Sequence, residues 1–248
     1  MKFFSYFENI ESENSDEINK KLSTEISHFL LLLGVLDSYL NKVNGKIRND
    51  QFPEHTILNF SAQNLQLINN AFILFTQGYL RSPAILLRTV SEQLILSMFF
   101  KEFPNKEQEY KNTSYRDFFK ENRIEKILSK IDREGKIFKV KKFTKYNYWN
   151  KAIYKNFFEE LSYFVHSNPN IINNLMYDET NGKYHKGPKL QDKDILKALL
   201  RKLFESTLYT ILILDKTFEP NQTKEEIERI IKATKIINTN LKLQYKNG

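Results

Sequence analysis

An all-α fold, a multi-helix bundle, is the expectation for this 248-residue chain, and three observations predict it. Glycine and proline are scarce, at seven and six residues. The long stretches between them repeat apolar residues at the i, i+3, i+4 spacing of amphipathic helices. Twenty Phe, 13 Tyr and one Trp supply the side-chain volume needed to pack several such helices together. With 41% hydrophobic residues a sizeable core is available, and one helical domain over 1–248 accommodates it.

The first helix is predicted from about Ser15 to Lys42, with acids in its opening turn and apolar positions at Ile18, Leu22, Ile26, Phe29 and Leu33; the segment from Gly45 to Pro53 ends it. A second helix, about Glu54 to Leu80, leads through Arg81-Ser82-Pro83 into a third that reaches about Phe103. Serine there can cap the third helix and proline can take its first position. The short connection makes these two helices a long antiparallel hairpin. The third is apolar nearly all round and therefore belongs at the centre of the bundle. A more charged helix follows from Ser114 to Glu134, with one apolar stripe. Gly135 to Tyr146 is an irregular basic insertion, and a helix from about Asn147 to His166 carries Trp149 and Leu161. Within 176–190, Asn181-Gly182 marks a turn, a loop or small hairpin. Two helices close the chain, Asp192 to about Lys216 and one opening at Thr223 with a Thr-x-x-Glu capping box ending at Glu226.

Several chemistries are excluded or unsupported. Zero cysteines remove disulfides, thiolate zinc sites and cysteine nucleophiles. The four histidines, at 28, 55, 166 and 185, form no His-x-x-x-His pair, so no metal site is expected. No phosphate-binding or dinucleotide glycine loop occurs, and no cofactor is expected. Acids enter the N-terminal stretch before any apolar signal region forms. The longest apolar run, Phe29 to Leu36, falls far short of the ~20 residues of a membrane span. A cytoplasmic protein with no membrane partner is the expectation.

Three groups of residues invite a chemical reading. Arg88 and Glu92 lie four apart on the third helix, on a face that also carries Ile85, Ile95 and Phe99. Charges placed there are either a structural ion pair or a preorganised cation and carboxylate on a pocket floor. Second, Ser162 and His166 share a face at the end of the Trp149 helix. The dipole favours imidazolium there, but no acid follows at triad spacing and a serine hydrolase is not proposed.

The run from Gly78 to Glu92, Gly-Tyr-Leu-Arg-Ser-Pro-Ala-Ile-Leu-Leu-Arg-Thr-Val-Ser-Glu, followed by Leu161-Ser162 and Val165-His166, resembles a group of bacterial helical proteins distantly similar to the HEPN superfamily. The resemblance covers about fifty residues in two patches. It implies a helical bundle, often dimeric, in which Arg88, Glu92 and His166 converge, and an association with abortive-infection and other phage defence. Many HEPN proteins are metal-independent ribonucleases and others are non-catalytic binding partners. The ribonuclease pattern, an arginine with a histidine four to six positions on, has one approximate counterpart here. It is Arg48-Asn49 with His55, and it spans Pro53 ahead of the second helix. Arg88 and His166 would have to substitute for it by meeting in space.

The third group is electrostatic. From Gly135 to Phe158 there is no acid, while seven lysines occur; without them the net charge of +8 falls to about +1. Lys139, Lys141, Lys142 and Lys145, interleaved with aromatics such as Tyr148 and Trp149, form the mixture that holds phosphates and stacks bases. A solvated basic loop is the plainer reading. Two functions remain in play: a module that binds RNA, another nucleic acid or a cognate protein partner without catalysis, and a metal-independent endoribonuclease toxin using Arg88 and His166, with Glu92 orienting one of them.

Overall fold

The computed structural model describes residues 2–47, 55–138, 161, 177–178, 183–184 and 193–241. Among them are eight helices: α1 (Lys2–Ile47), α2 (His55–Thr76), α3 (Arg81–Glu102), α4 (Pro104–Asn112), α5 (Tyr115–Glu121), α6 (Ile124–Glu134), α7 (Lys193–Phe218) and α8 (Lys224–Thr239). Two-residue strands β1 (Tyr177–Asp178) and β2 (Lys183–Tyr184) pair antiparallel, the small hairpin expected around Asn181-Gly182. The protein is an all-helical bundle.

α1 starts earlier than its periodicity suggests and runs past Gly45, with a local break at Leu22, where φ is −133° and ψ is 23°. Tertiary contacts explain the extra turns. The amide of Asn14 donates to the Gln77 carbonyl at 3.3 Å, and the Tyr79 hydroxyl donates to Glu11 at 2.7 Å, so the N-terminal part of α1 is fastened to the α2–α3 turn. Gly78 in that turn has a φ of +89°, and a Cβ there would meet the Asn14 amide nitrogen at 2.6 Å. Only glycine fits both demands.

α2 and α3 pack as the predicted antiparallel hairpin. The expected cap of α3 is not seen: the helix begins at Arg81, Leu80 is its N-cap without a side-chain hydrogen bond, and Pro83 is buried inside the first turn. Proline is tolerated there because that N–H has no intrahelical acceptor. α3 touches α2, α4, α6 and α7. It is not sealed all round, since Ile85 is 42% exposed. α3 is the described helix long and apolar enough to cross a membrane, yet 67% of its apolar window is buried against the rest of the protein.

α7 is the more deeply enclosed helix. Every residue from Lys202 to Leu214 is buried, and α7 packs on α1, α2, α3 and α8. Its burial includes Glu205, held by Arg201 at 2.8 Å and Lys202 at 3.1 Å. The charged stretch expected as one helix from Ser114 to Glu134 is two short helices, α5 and α6, and the short α4 precedes it. Ser114 caps α5 by accepting from the Asp117 N–H, and the chain turns again at Asn122 and Arg123. The capping box at Thr223 and Glu226 forms as expected. Of the helix predicted around Trp149 only Leu161 is described; it is helical and buried.

Candidate nucleic-acid interface

α6 has a clean division of faces. Ile124, Ile127 and Ile131 are buried, and the helix packs on α3. Lys126, Lys130 and Arg133 recur at i, i+4 and i+7 along another face, because 3.6 residues per turn keeps such positions aligned. With Phe99 of α3 and Glu121 and Asn122 from the end of α5, they line a cleft of about 310 Å³. Three cations and the Glu121 carboxylate line it, and Arg133 is also paired with Glu134 at 2.6 Å.

Its walls are fixed by polar contacts. The Asn122 amide donates to Glu109 at 3.1 Å and to the Phe118 carbonyl at 3.0 Å. The Lys106 ammonium hydrogen-bonded to Glu109 holds that carboxyl below the usual range. Burial opposes this, while Asn122 and the charge of Lys130 reinforce it. The Lys130 ammonium lies 4.6 Å from the centre of the Phe103 ring, a cation–π contact that keeps its stem against the protein.

Beside this cleft, one turn beyond Phe99, stands the last residue of α3. The carboxylate of Glu102 accepts three consecutive backbone N–H groups: Lys136 at 2.7 Å, Ile137 at 2.7 Å and Phe138 at 2.5 Å. Successive amides converging on one anion form a nest, and hydrogen bonds to a carboxylate are the strong kind. Gly135 allows the approach, since a Cβ there would lie 2.4 Å from the Ile131 carbonyl and 3.0 Å from Glu102. The clamp therefore fixes the chain where the acid-free, lysine-rich run begins. Sequence reading missed Glu102. Its partners are 34 to 36 residues away, and no periodicity links them.

Arg88 and Glu92 form a direct ion pair, Nη1 to Oε1 at 2.8 Å, with side chains 18% and 32% exposed. Tyr115 lies near enough to sense both: burial and the Glu92 carboxylate push its phenol up, and Arg88 pulls it down. His166 and the residues read as nucleic-acid contacts, Lys139, Lys141, Lys142, Lys145, Tyr148 and Trp149, lie outside the described residues, as does Arg48 of the ribonuclease-like spacing. Among the described residues no cluster of His, Asp or Glu is arranged to hold a metal ion. No family model, curated protein or solved structure matches this chain.

Proposed function

We propose that this protein is a nucleic-acid-binding helical module, HEPN-like in fold and serving a bacterial defence or regulatory system, that grips RNA phosphates without cleaving them. The observation that carries the reading is the Glu102 clamp, which anchors the root of the lysine-rich segment beside the cleft of Lys126, Lys130 and Arg133. Cations on three successive helical turns and seven lysines in an acid-free run offer repeated charge to a polyphosphate, and phosphate neutralisation supplies most of the affinity of proteins for nucleic acids. The defence setting rests on the resemblance of the Gly78–Glu92 and Leu161–His166 patches. The partnership of Arg88 with Glu92 supports binding over catalysis, because the guanidinium is already engaged by a carboxylate on its own helix.

The test is binding and cleavage of a mixed RNA pool in EDTA. Lys126→Glu/Lys130→Glu and Lys141→Glu/Lys142→Glu should each weaken binding. Each phosphate contact removed should lower the slope of log affinity against log salt by about 0.7 to 1. Arg88→Ala and His166→Ala should leave affinity unchanged. Cleavage by the wild type that disappears in folded Arg88 or His166 variants would instead establish an endoribonuclease. Binding indifferent to both lysine pairs would overturn the proposed surface.

A further inference from the structure

Lys126 and Lys130 stand four residues apart on α6, where like charges repel and cost helix stability. A carboxylate is the usual remedy, and other cations of the bundle have one: Lys42 pairs with Glu226, Lys106 with Glu109 and Lys111 with Glu107. Among the described residues neither Lys126 nor Lys130 is in an ion pair. Glu109 feels the charge of Lys130 but is bonded to Lys106. Both lysines line the cleft of about 310 Å³. Lys130 is held there, its ammonium 4.6 Å from the centre of the Phe103 ring and 6.0 Å from that of Phe99. The site also offers acceptors. The Asn122 amide nitrogen spends its hydrogens on Glu109 and the Phe118 carbonyl, which leaves the amide oxygen to accept, and Glu121 adds a carboxylate.

We propose that this cleft holds the phosphomonoester end of an RNA strand, so that the protein selects phosphate-ended over hydroxyl-ended RNA. The inference rests on the nucleic-acid reading above and names what this part of the surface selects. Charge chooses the group. An internal phosphodiester carries a single negative charge, whereas a phosphomonoester carries about −1.5 to −2 and three strong acceptor oxygens. Two ammonium groups projecting from neighbouring turns match that dianion, and hydrogen bonds between ionised partners are the strong ones. Shape agrees with charge. A space of about 310 Å³ lies at the small end of ligand sites, with room for one terminal nucleotide and not for a duplex. The acceptors of Asn122 and Glu121 suit the ribose hydroxyls of that nucleotide, which donate. The lysine-rich run that Glu102 roots beside the cleft then serves the diester phosphates of the rest of the strand. A phosphomonoester can stand at the 5′ or the 3′ end, and the experiment separates the two.

The experiment is competition against a fluorescent RNA on the full chain in EDTA, with circular dichroism confirming each variant's fold. The competitors are one short single-stranded sequence with hydroxyls at both ends, with a 5′-phosphate, or with a 3′-phosphate. One phosphorylated form should bind at least ~10-fold more tightly than the hydroxyl form, and the other marks the end that the cleft does not take. Blocking the preferred phosphate as its methyl ester, which removes one charge, should abolish most of that preference. Lys126→Gln/Lys130→Gln should abolish it as well, and Lys126→Arg/Lys130→Arg should retain it. Lys141→Glu/Lys142→Glu should lower affinity for every form and leave the ratio intact. Equal binding of all three ends overturns the proposal and leaves the nucleic-acid reading standing. A preference that survives Lys126→Gln/Lys130→Gln is attraction to added charge elsewhere and overturns it equally. If no RNA binds, titration calorimetry with 5′-AMP, 3′-AMP and adenosine decides. Binding of a phosphorylated form alone, lost in Lys126→Gln/Lys130→Gln, keeps the phosphate site and overturns the RNA reading, and any other result overturns both.

Discussion

A single carboxylate shows how much one residue organises. Glu226 receives the Lys42 ammonium at 2.6 and 2.7 Å, the Ser38 hydroxyl at 2.7 Å and the Thr223 N–H at 2.8 Å. It thus closes the capping box of α8 and fastens that helix to α1. Burial pushes its carboxyl up, but the hydrogen bonds from Lys42, Thr223 and Ser38 outweigh that and hold it at about 2. The sign follows from linkage. A carboxyl depressed in the folded state from 4.5 contributes stability above pH 4.5, and this is lost as pH falls toward 2. Glu226→Gln should therefore be less stable than the wild type at pH 7 by about 1 to 3 kcal/mol. The gap should narrow between pH 4.5 and 2 in urea unfolding. A gap that is constant with pH would refute the assigned pairing. Thr223 and Glu226 were legible in the sequence because a capping box is local; Lys42 and Ser38 were not, because they arrive from 184 and 188 residues away.

At the scale of elements, the junction of α3 with the turn after α6 separates two electrostatic effects. Glu102 is an acid at the root of a lysine-rich run, so simple Coulomb repulsion of phosphate would make its removal favourable to RNA binding. If it acts instead as the anchor of residues 136–138, Glu102→Gln should weaken RNA affinity even though a negative charge is gone. It should also cost about 1 to 3 kcal/mol in stability through weakened charge-assisted hydrogen bonds. Gly135→Ala should reproduce the loss of affinity, because its Cβ intrudes on the same carboxylate. Fluorescence anisotropy across a salt series measures both, and tighter binding by Glu102→Gln would reduce the clamp to an ordinary surface charge. The stretch from Ser114 to Glu134 teaches a related lesson. A continuous apolar stripe predicts one helix, but Asn122 divides it by giving the backbone a local hydrogen-bonding alternative, its amide donating to the Phe118 carbonyl.

Across the whole molecule, charge is segregated. Lysines concentrate between Gly135 and Phe158, α2 has none at all, and the buried helix α7 carries a charge cluster of its own. Glu205 is 1% exposed and sits between Arg201 and Lys202. Replacing one member of a buried cluster leaves the others without compensation, which costs about 3 to 5 kcal/mol. Because α7 touches α1, α2, α3 and α8, the whole bundle should register the loss. Glu205→Ala is expected to lower the melting temperature by about 6 to 20 °C in calorimetry, given roughly 2 to 4 °C per kcal/mol for a chain of this size. A shift under about 2 °C would show that the cluster is not a structural keystone.

What the sequence determined by itself is what depends on neighbours along the chain. The 3.6-residue spacing of apolar residues gave most of the helices, the shortness of the connection between the second and third gave the α2–α3 hairpin, and the Thr223 box gave the start of α8. It also brought out Arg88 and Glu92 as a pair, because i, i+4 proximity is a property of any helix. Tertiary structure alone decided the rest: that α7 is enclosed on every side, that the N-terminal turns of α1 dock on Gly78, and that Glu102 captures the amides of residues 136–138. Those arrangements, with the contacts of Glu226 to α1, join groups between 34 and 188 residues apart, and their energies come from burial and convergent hydrogen bonds that exist only once the helices have packed.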